Sequence, residues 1–138
     1  MWLYEGKEFT SVDIPDKIVG FVYQITDLEN GMKYLGKKTL FNTKTLPPLK
    51  GQKKKRKKVT ESDWQDYYGS NEKIKALVVS EGRDRFKREI LKLCRSSSEA
   101  TYWEAKLQFQ FDVLLDPLYY NDYIMVRVSG SHMRALKD

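Results

Sequence analysis

The stretch FVYQITDLENGMKYLG, Phe21 to Gly36, constrains the fold more than any other part of the chain. Ile18 to Thr26 is rich in β-branched and aromatic residues and reads as a strand. Asn30-Gly31 is the strongest short hairpin-turn signal, so Met32 to Lys38 reads as the return strand. With these two residues as the turn, Glu29 faces Met32, Asp27 faces Tyr34 and Tyr23 faces Lys38. Alternation then puts Tyr23, Tyr34, Gly36 and Lys38 on one face, and Val22, Leu35 and Lys37 on the other. A one-residue slip would exchange the lysines. By frequency, strand tyrosines are core residues. A glycine and a lysine on the same face weigh against that here. Glycine lets a ligand come close to the backbone, and lysine is expensive to bury.

Downstream, TLPPLKGQKKKRKK carries two prolines, a glycine and six consecutive cations, Lys53, Lys54, Lys55, Arg56, Lys57 and Lys58. That composition reads as a mobile basic loop over about 44–59. Thr60 is a candidate N-cap for a short helix through Trp64 and Tyr67, ending at Gly69. Ser70 is a candidate cap for NEKIKALVVSEG, which Gly82 stops. FKREILKLC, from Phe86 to Cys94, reads as a third strand. Ser98 is a candidate cap for a long helix from about Glu99 to Leu115, with Pro117 just past its end. LYYNDYIMVRV is strand-like or irregular, and 129–138 is a polar tail without an assigned role. The expected architecture is α/β (α+β): a small three-stranded, partly antiparallel sheet with flanking helices, in one domain over 1–138 with its core at about 17–121.

Composition narrows the function. A hydrophobic content of 41% fills a core, and 13% aromatics argue against disorder. A net charge of +6 points to an anionic partner, nucleic acid before membrane. No apolar run is long enough to span a bilayer, and MWLYEGKEF lacks a signal-peptide pattern. The single cysteine, Cys94, fits a reducing cytoplasm. Cys94 with the single histidine, His132, excludes a zinc finger.

Two features suggest chemistry. At 100° per residue, Ala100, Trp103, Leu107, Phe111 and Leu114 form one helical stripe, and Glu104 projects inside it. A carboxylate there is costly unless it is paired, for instance with Arg88, or binds a cation. The basic run has the same duality. It is a solvated loop or localisation signal, or its self-repulsion is offset by a polyanion.

Together these features resemble the GIY-YIG nuclease family. The matching triplets are Phe21-Val22-Tyr23 and Tyr34-Leu35-Gly36, with ten residues between. FKREILKLC, Glu104 and Tyr120-Asn121 follow in the family's order, and DWQDYYGSN is similar to a segment of phage-encoded, homing-endonuclease-like members. The resemblance implies a metal-dependent DNA endonuclease. Glu104 would hold Mg²⁺ (or Mn²⁺), Tyr23 would act as general base or orient a water, and Tyr34 would position phosphate or water. Lys38 would lower the Tyr23 pKa and stabilise charge on the phosphate, and Asn121 would orient the phosphate or Glu104. The basic run would clamp duplex DNA, and a double-strand cut would require a homodimer or two encounters. The chain departs from the family in lacking an arginine in its first helix, where Lys38 or Arg56 would substitute, and Tyr67 stands where many members have histidine. The alternatives are a nucleic-acid-binding protein that keeps the fold without cutting, and an assembly protein whose basic run binds an acidic protein surface.

Overall fold

The computed structural model describes residues 1–134. The tail expected at 129–138 is described only as far as Arg134, and its last four residues lie outside the described residues. The elements in chain order are β1 (Trp2–Tyr4), β2 (Lys7–Phe9), β3 (Gly20–Asp27), β4 (Lys33–Thr39), β5 (Phe41–Leu46), β6 (Arg56–Glu61), α1 (Glu72–Glu81), β7 (Phe86–Cys94) and α2 (Ser97–Gln110). The α+β class stands, but the main sheet has five strands rather than three, in the order β2-β1-β7-β3-β4. The two additional strands are an N-terminal hairpin. Its two-residue turn, Glu5-Gly6, has positive φ at both positions, as tight hairpins favour. β1 runs parallel to β7, and β3 is antiparallel to both its neighbours.

The β3–β4 register differs from the expected one. Tyr23 pairs with Gly36, Ile25 with Tyr34 and Phe21 with Lys38. Asn30-Gly31 is not a two-residue turn. Asp27 N–H donates to the Met32 carbonyl, and Gly31 N–H donates to the Asp27 carbonyl, which closes a four-residue loop. The Asn30 side chain accepts from Met32 N–H instead. The shift is by two residues, so every side chain keeps its expected face.

The two faces of the sheet bury different material. On one, Phe21, Tyr23 and Ile25 pack with Trp2, Trp64 and Ile74 of α1. On the other, Val22, Leu35 and Cys94 pack beneath Ala100, Trp103 and Leu107 of α2. Arg88 lies on the first face, where its guanidinium donates to the Gln65 and Tyr67 carbonyls and stacks against Trp2 and Tyr68. It therefore secures the Trp64–Tyr67 segment and does not pair with Glu104 across the sheet.

Four other expectations are corrected. Thr60 lies in β6, so the helix expected after it reduces to one 3₁₀ turn at Trp64–Asp66. α1 is capped by Asn71, whose side chain accepts from Lys73 and Ile74 N–H, and not by Ser70. α2 is capped by Ser96 and ends at Gln110, so Phe111 and Leu114 fall beyond it. The basic segment is a loop only over 47–55, and its flanks are strands. β5 and β6 form an antiparallel ribbon that pairs only with itself.

Candidate active site

β4 is an edge strand, and its outward-facing peptide groups organise the site. Lys33 N–H donates to the Leu118 carbonyl, and Tyr120 N–H donates to the Lys33 carbonyl. The next outward peptide belongs to Leu35, which is paired by a side chain. Leu35 N–H donates to Asn121 Oδ1 at 3.0 Å, and Asn121 Nδ2 donates to the Leu35 carbonyl at 2.8 Å. Asn121 thus imitates a strand residue. Its amide is engaged with the backbone of Leu35, and among the described residues no hydrogen bond joins it to Glu104. Gln108 Nε2 also donates to the Leu35 carbonyl, at 3.0 Å. Further along the edge, Lys37 meets Glu104 of α2. Burial raises the Glu104 carboxyl above the usual carboxylate range, and the charge and backbone hydrogen bond of Lys37 offset this only in part.

These groups line a cleft of about 550 Å³ that includes Tyr34, Lys37, Lys73, Glu104, Gln108 and Asn121. Tyr34, Glu104 and Asn121 are therefore brought together as expected. Tyr34 is half-buried, and its hydroxyl shares a 2.9 Å hydrogen bond with Ser70 Oγ. Lys37 and Lys73 supply the cleft's cations. Lys73 sits in the first turn of α1, next to the capping Asn71, and no spacing rule in the sequence pointed to it.

Tyr23 is 1% exposed and belongs to the core cluster, behind the cleft-lining Tyr34. It stands 5.8 Å from Tyr67 and 6.3 Å from Tyr34, centroid to centroid. The core expectation holds for the ring, and the hydroxyl lies against Gly36 and Gly69 rather than in the lining of the cleft. Burial first, then Tyr67 and Tyr34, push the phenol well above its ordinary value, and Glu104 adds to the rise. Lys38 does not lower it. The Lys38 ammonium is bonded to Asp63 at 2.6 Å and lies 4.1 Å from the Tyr67 ring centroid. It shares Tyr23's face, as expected, but is spent on that pair.

Gly36 and Gly69 make room for the tyrosines. A Cβ at position 36 would lie 2.5 Å from the Tyr23 hydroxyl oxygen. Gly69 has φ of +88°, and a Cβ there would meet Ile25, Tyr23 and Tyr34 at 3.2–3.5 Å. Gly36→Ala is therefore expected to displace the Tyr23 ring and destabilise the fold by about 1–3 kcal/mol. Thermal melting checks this, and an unchanged melting temperature would show that the ring yields freely.

The residues present fit a hard divalent cation. Among the described residues no cluster of three or more Asp, Glu, His or Cys side chains exists, which disfavours a protein-caged ion. Mg²⁺ is commonly held by one or two carboxylates and keeps several waters. Glu104, half-buried in the cleft, is the carboxylate that would hold one. One turn along α2, the buried Gln108 Oε1 has no hydrogen-bond partner, and it adds an oxygen that can accept from a coordinated water. The basic residues Lys53 to Lys58 lie elsewhere, with Arg56, Lys57 and Lys58 on β6 and Lys53, Lys54 and Lys55 in the turn before it.

No curated protein and no solved structure matches the chain. A family model described as "Putative endonuclease segE, GIY-YIG domain" matches residues 2–124. That span takes in all nine elements, from the N-terminal hairpin to α2, together with the Asn121 clamp on the β4 edge. The chain belongs to the GIY-YIG endonuclease family, in its segE branch.

Proposed function

We propose that this protein hydrolyses phosphodiester bonds of duplex DNA at the β4 edge, with Glu104 holding a divalent cation, Mg²⁺ in the first instance. The observation that carries this reading is the environment of Glu104. It is a half-buried carboxylate with a raised pKa and no arginine partner, in a cleft that also contains Tyr34, Lys37 and Lys73. Such a cation, when bound, polarises a phosphoryl oxygen and stabilises the leaving oxygen.

The chain's own groups do the rest. Lys37 and Lys73 draw the phosphate into the cleft and balance the charge that builds on it. Tyr34 hydrogen-bonds a phosphate oxygen or the attacking water, exchanging its Ser70 partner for it. Tyr23 keeps its proton at neutral pH and orients the water rather than standing as a free phenolate. Asn121 and Gln108 hold the Leu35 peptide, and so fix the spacing between Tyr34 and Lys37. The basic segment contacts the DNA backbone, which gives affinity with little sequence information.

This reading transfers the expected lysine role from Lys38 to Lys37. Lys37→Ala is expected to lower the cleavage rate by about 10²-fold or more, in line with loss of one charge-stabilising group. Lys38→Ala is expected to act mainly through stability, because it frees Asp63 and uncovers Tyr67. Steady-state cleavage by both variants, beside their melting curves, decides it. The opposite ranking would return the role to Lys38.

The second reading is a DNA-binding protein that does not cut. It is favoured by the absence of arginine from the Trp64–Tyr67 segment, the first helix of the expected order, and from α1, which follows it. Mg²⁺-dependent nicking of supercoiled plasmid separates the two readings.

A further inference from the structure

The protein's net positive charge is concentrated in one element. Residues 41–61 contain eight cations (Lys44, Lys50, Lys53, Lys54, Lys55, Arg56, Lys57 and Lys58) and one carboxylate, Glu61, a net charge of +7. The whole chain has 25 Lys and Arg and 19 Asp and Glu, a net charge of +6, so the remaining residues sum to −1. Among the described residues none of these eight cations is in an ion pair.

The ribbon is built in a way that folding alone does not favour. From Asn42 to Thr45 and along the whole of β6 its residues are exposed on both faces. A lone two-stranded hairpin is marginal in water. Its register sets Lys44 directly opposite Lys58, and like charges in opposed positions are destabilising. A polyanion bound to that face would offset both costs.

Alternation divides the basic run between the faces. Asn42, Lys44, Arg56, Lys58 and Thr60 share one, while Lys57 projects from the other beside Thr43, Thr45 and Val59. Between Asn42 and Glu61 there is no aromatic residue, so the ribbon lacks the stacking platforms that single-strand binders use. A two-stranded ribbon does fit the major groove of B-DNA, which is about 12 Å wide.

We propose that the β5–β6 ribbon enters the major groove of duplex DNA with the Lys44–Arg56–Lys58 face against the duplex, gripping it independently of the cleft. Lys53, Lys54 and Lys55 at its tip reach the flanking phosphates. This rests on the proposed function for its partner, duplex DNA, and not on the cutting step.

The test compares neighbouring lysines of equal charge on opposite faces. Binding of the full chain to one fluorescent duplex is titrated without divalent metal, across a range of salt. Lys58→Gln should weaken binding several-fold, and Lys57→Gln less than about twofold. The triple variant K44Q/R56Q/K58Q should lose roughly 30-fold or more and flatten the log–log salt slope by up to about 2.7, at 0.9 per contact. Its melting temperature should not fall, since the ribbon buries little. Wild type should protect guanine N7, a major-groove atom, from dimethyl sulfate. Equal losses from Lys57→Gln and Lys58→Gln overturn the facial assignment, as does unaltered binding by the triple variant. Absent N7 protection overturns the groove, and tighter binding to single-stranded DNA or RNA overturns the duplex. If the triple variant binds normally while wild type nicks plasmid, the ribbon proposal fails and the nuclease reading stands. If the facial losses appear but wild type never nicks, the nuclease reading fails and the ribbon proposal stands.

Discussion

Glu104→Gln is expected to abolish cleavage, by roughly 10³-fold or more, while leaving the metal-free protein as stable as wild type or more so. The two effects have one cause. The wild-type carboxyl is partly withdrawn from water, which raises its pKa above the unfolded value. Between those two values the folded state binds the proton more tightly, so stability falls as pH rises through the window. At neutral pH the ionised group therefore costs folding energy, and glutamine removes that cost without changing the shape. Added Mg²⁺ or Mn²⁺ should then raise the melting temperature of wild type by mass action and that of the variant far less. A structural ion pair at Glu104 predicts the reverse: a destabilised variant, with both proteins indifferent to metal. Melting curves from about pH 5 to 8, with and without metal, distinguish these outcomes.

Asp27→Ala is expected to cost about 3–5 kcal/mol, the usual penalty for removing one partner of a buried ion pair, or roughly 10–20 °C in melting temperature. Asp27 is fully buried at the end of β3. Its two oxygens accept from Arg85 at 2.8 and 2.9 Å, from the Tyr120 hydroxyl at 2.8 Å and from Glu29 N–H at 3.1 Å. Burial pushes this carboxyl up, but the hydrogen bonds from Arg85, Tyr120 and Glu29 together hold it below its ordinary value. The sign is opposite to that of Glu104. The contribution is present above the unfolded pKa, and it is lost as pH falls through the lower folded value. The variant's stability should therefore be less sensitive to acid than that of wild type. Function should suffer too, because Tyr120 precedes the residue that clamps Leu35. A variant that melts within about 1 °C of wild type would contradict this reading of Asp27.

Much of the fold was legible in local pattern. β3, β4 and β7 lie where strands were expected, β3 from its β-branched and aromatic residues and β4 as its return strand, and Gly82 ends α1 as anticipated. The N-terminal hairpin was legible in principle, from Glu5-Gly6 between WLY and KEF, but three-residue strands carry too little periodicity to stand out. The β3–β4 register was missed because Asn30 uses its side chain to cap Met32 N–H instead of forming the turn. The ribbon was missed because adjacent like charges suggest an unfolded loop. Thr43, Thr45, Val59 and Thr60 carried the contrary β signal. Within the site, Glu104 was legible because a carboxylate on an apolar helical stripe demands a reason. Tyr34 was legible from the face it shares with Gly36, while Tyr23 on the same face went to the core. Lys37, Lys73 and Gln108 were not, since their roles depend on where the β4 edge meets α1 and α2, and no local pattern encodes that meeting.

The most direct measurement is the conversion of supercoiled plasmid by the purified chain, with Mg²⁺ and with EDTA, beside Glu104→Gln. The geometry at the β4 edge predicts nicked or linear product from wild type with Mg²⁺, none with EDTA, and none above background from the variant, which should still retard the plasmid on a gel. Intact supercoiled plasmid in every lane despite binding, or equal cutting by wild type and Glu104→Gln, would contradict a metal-assisted nuclease centred on Glu104.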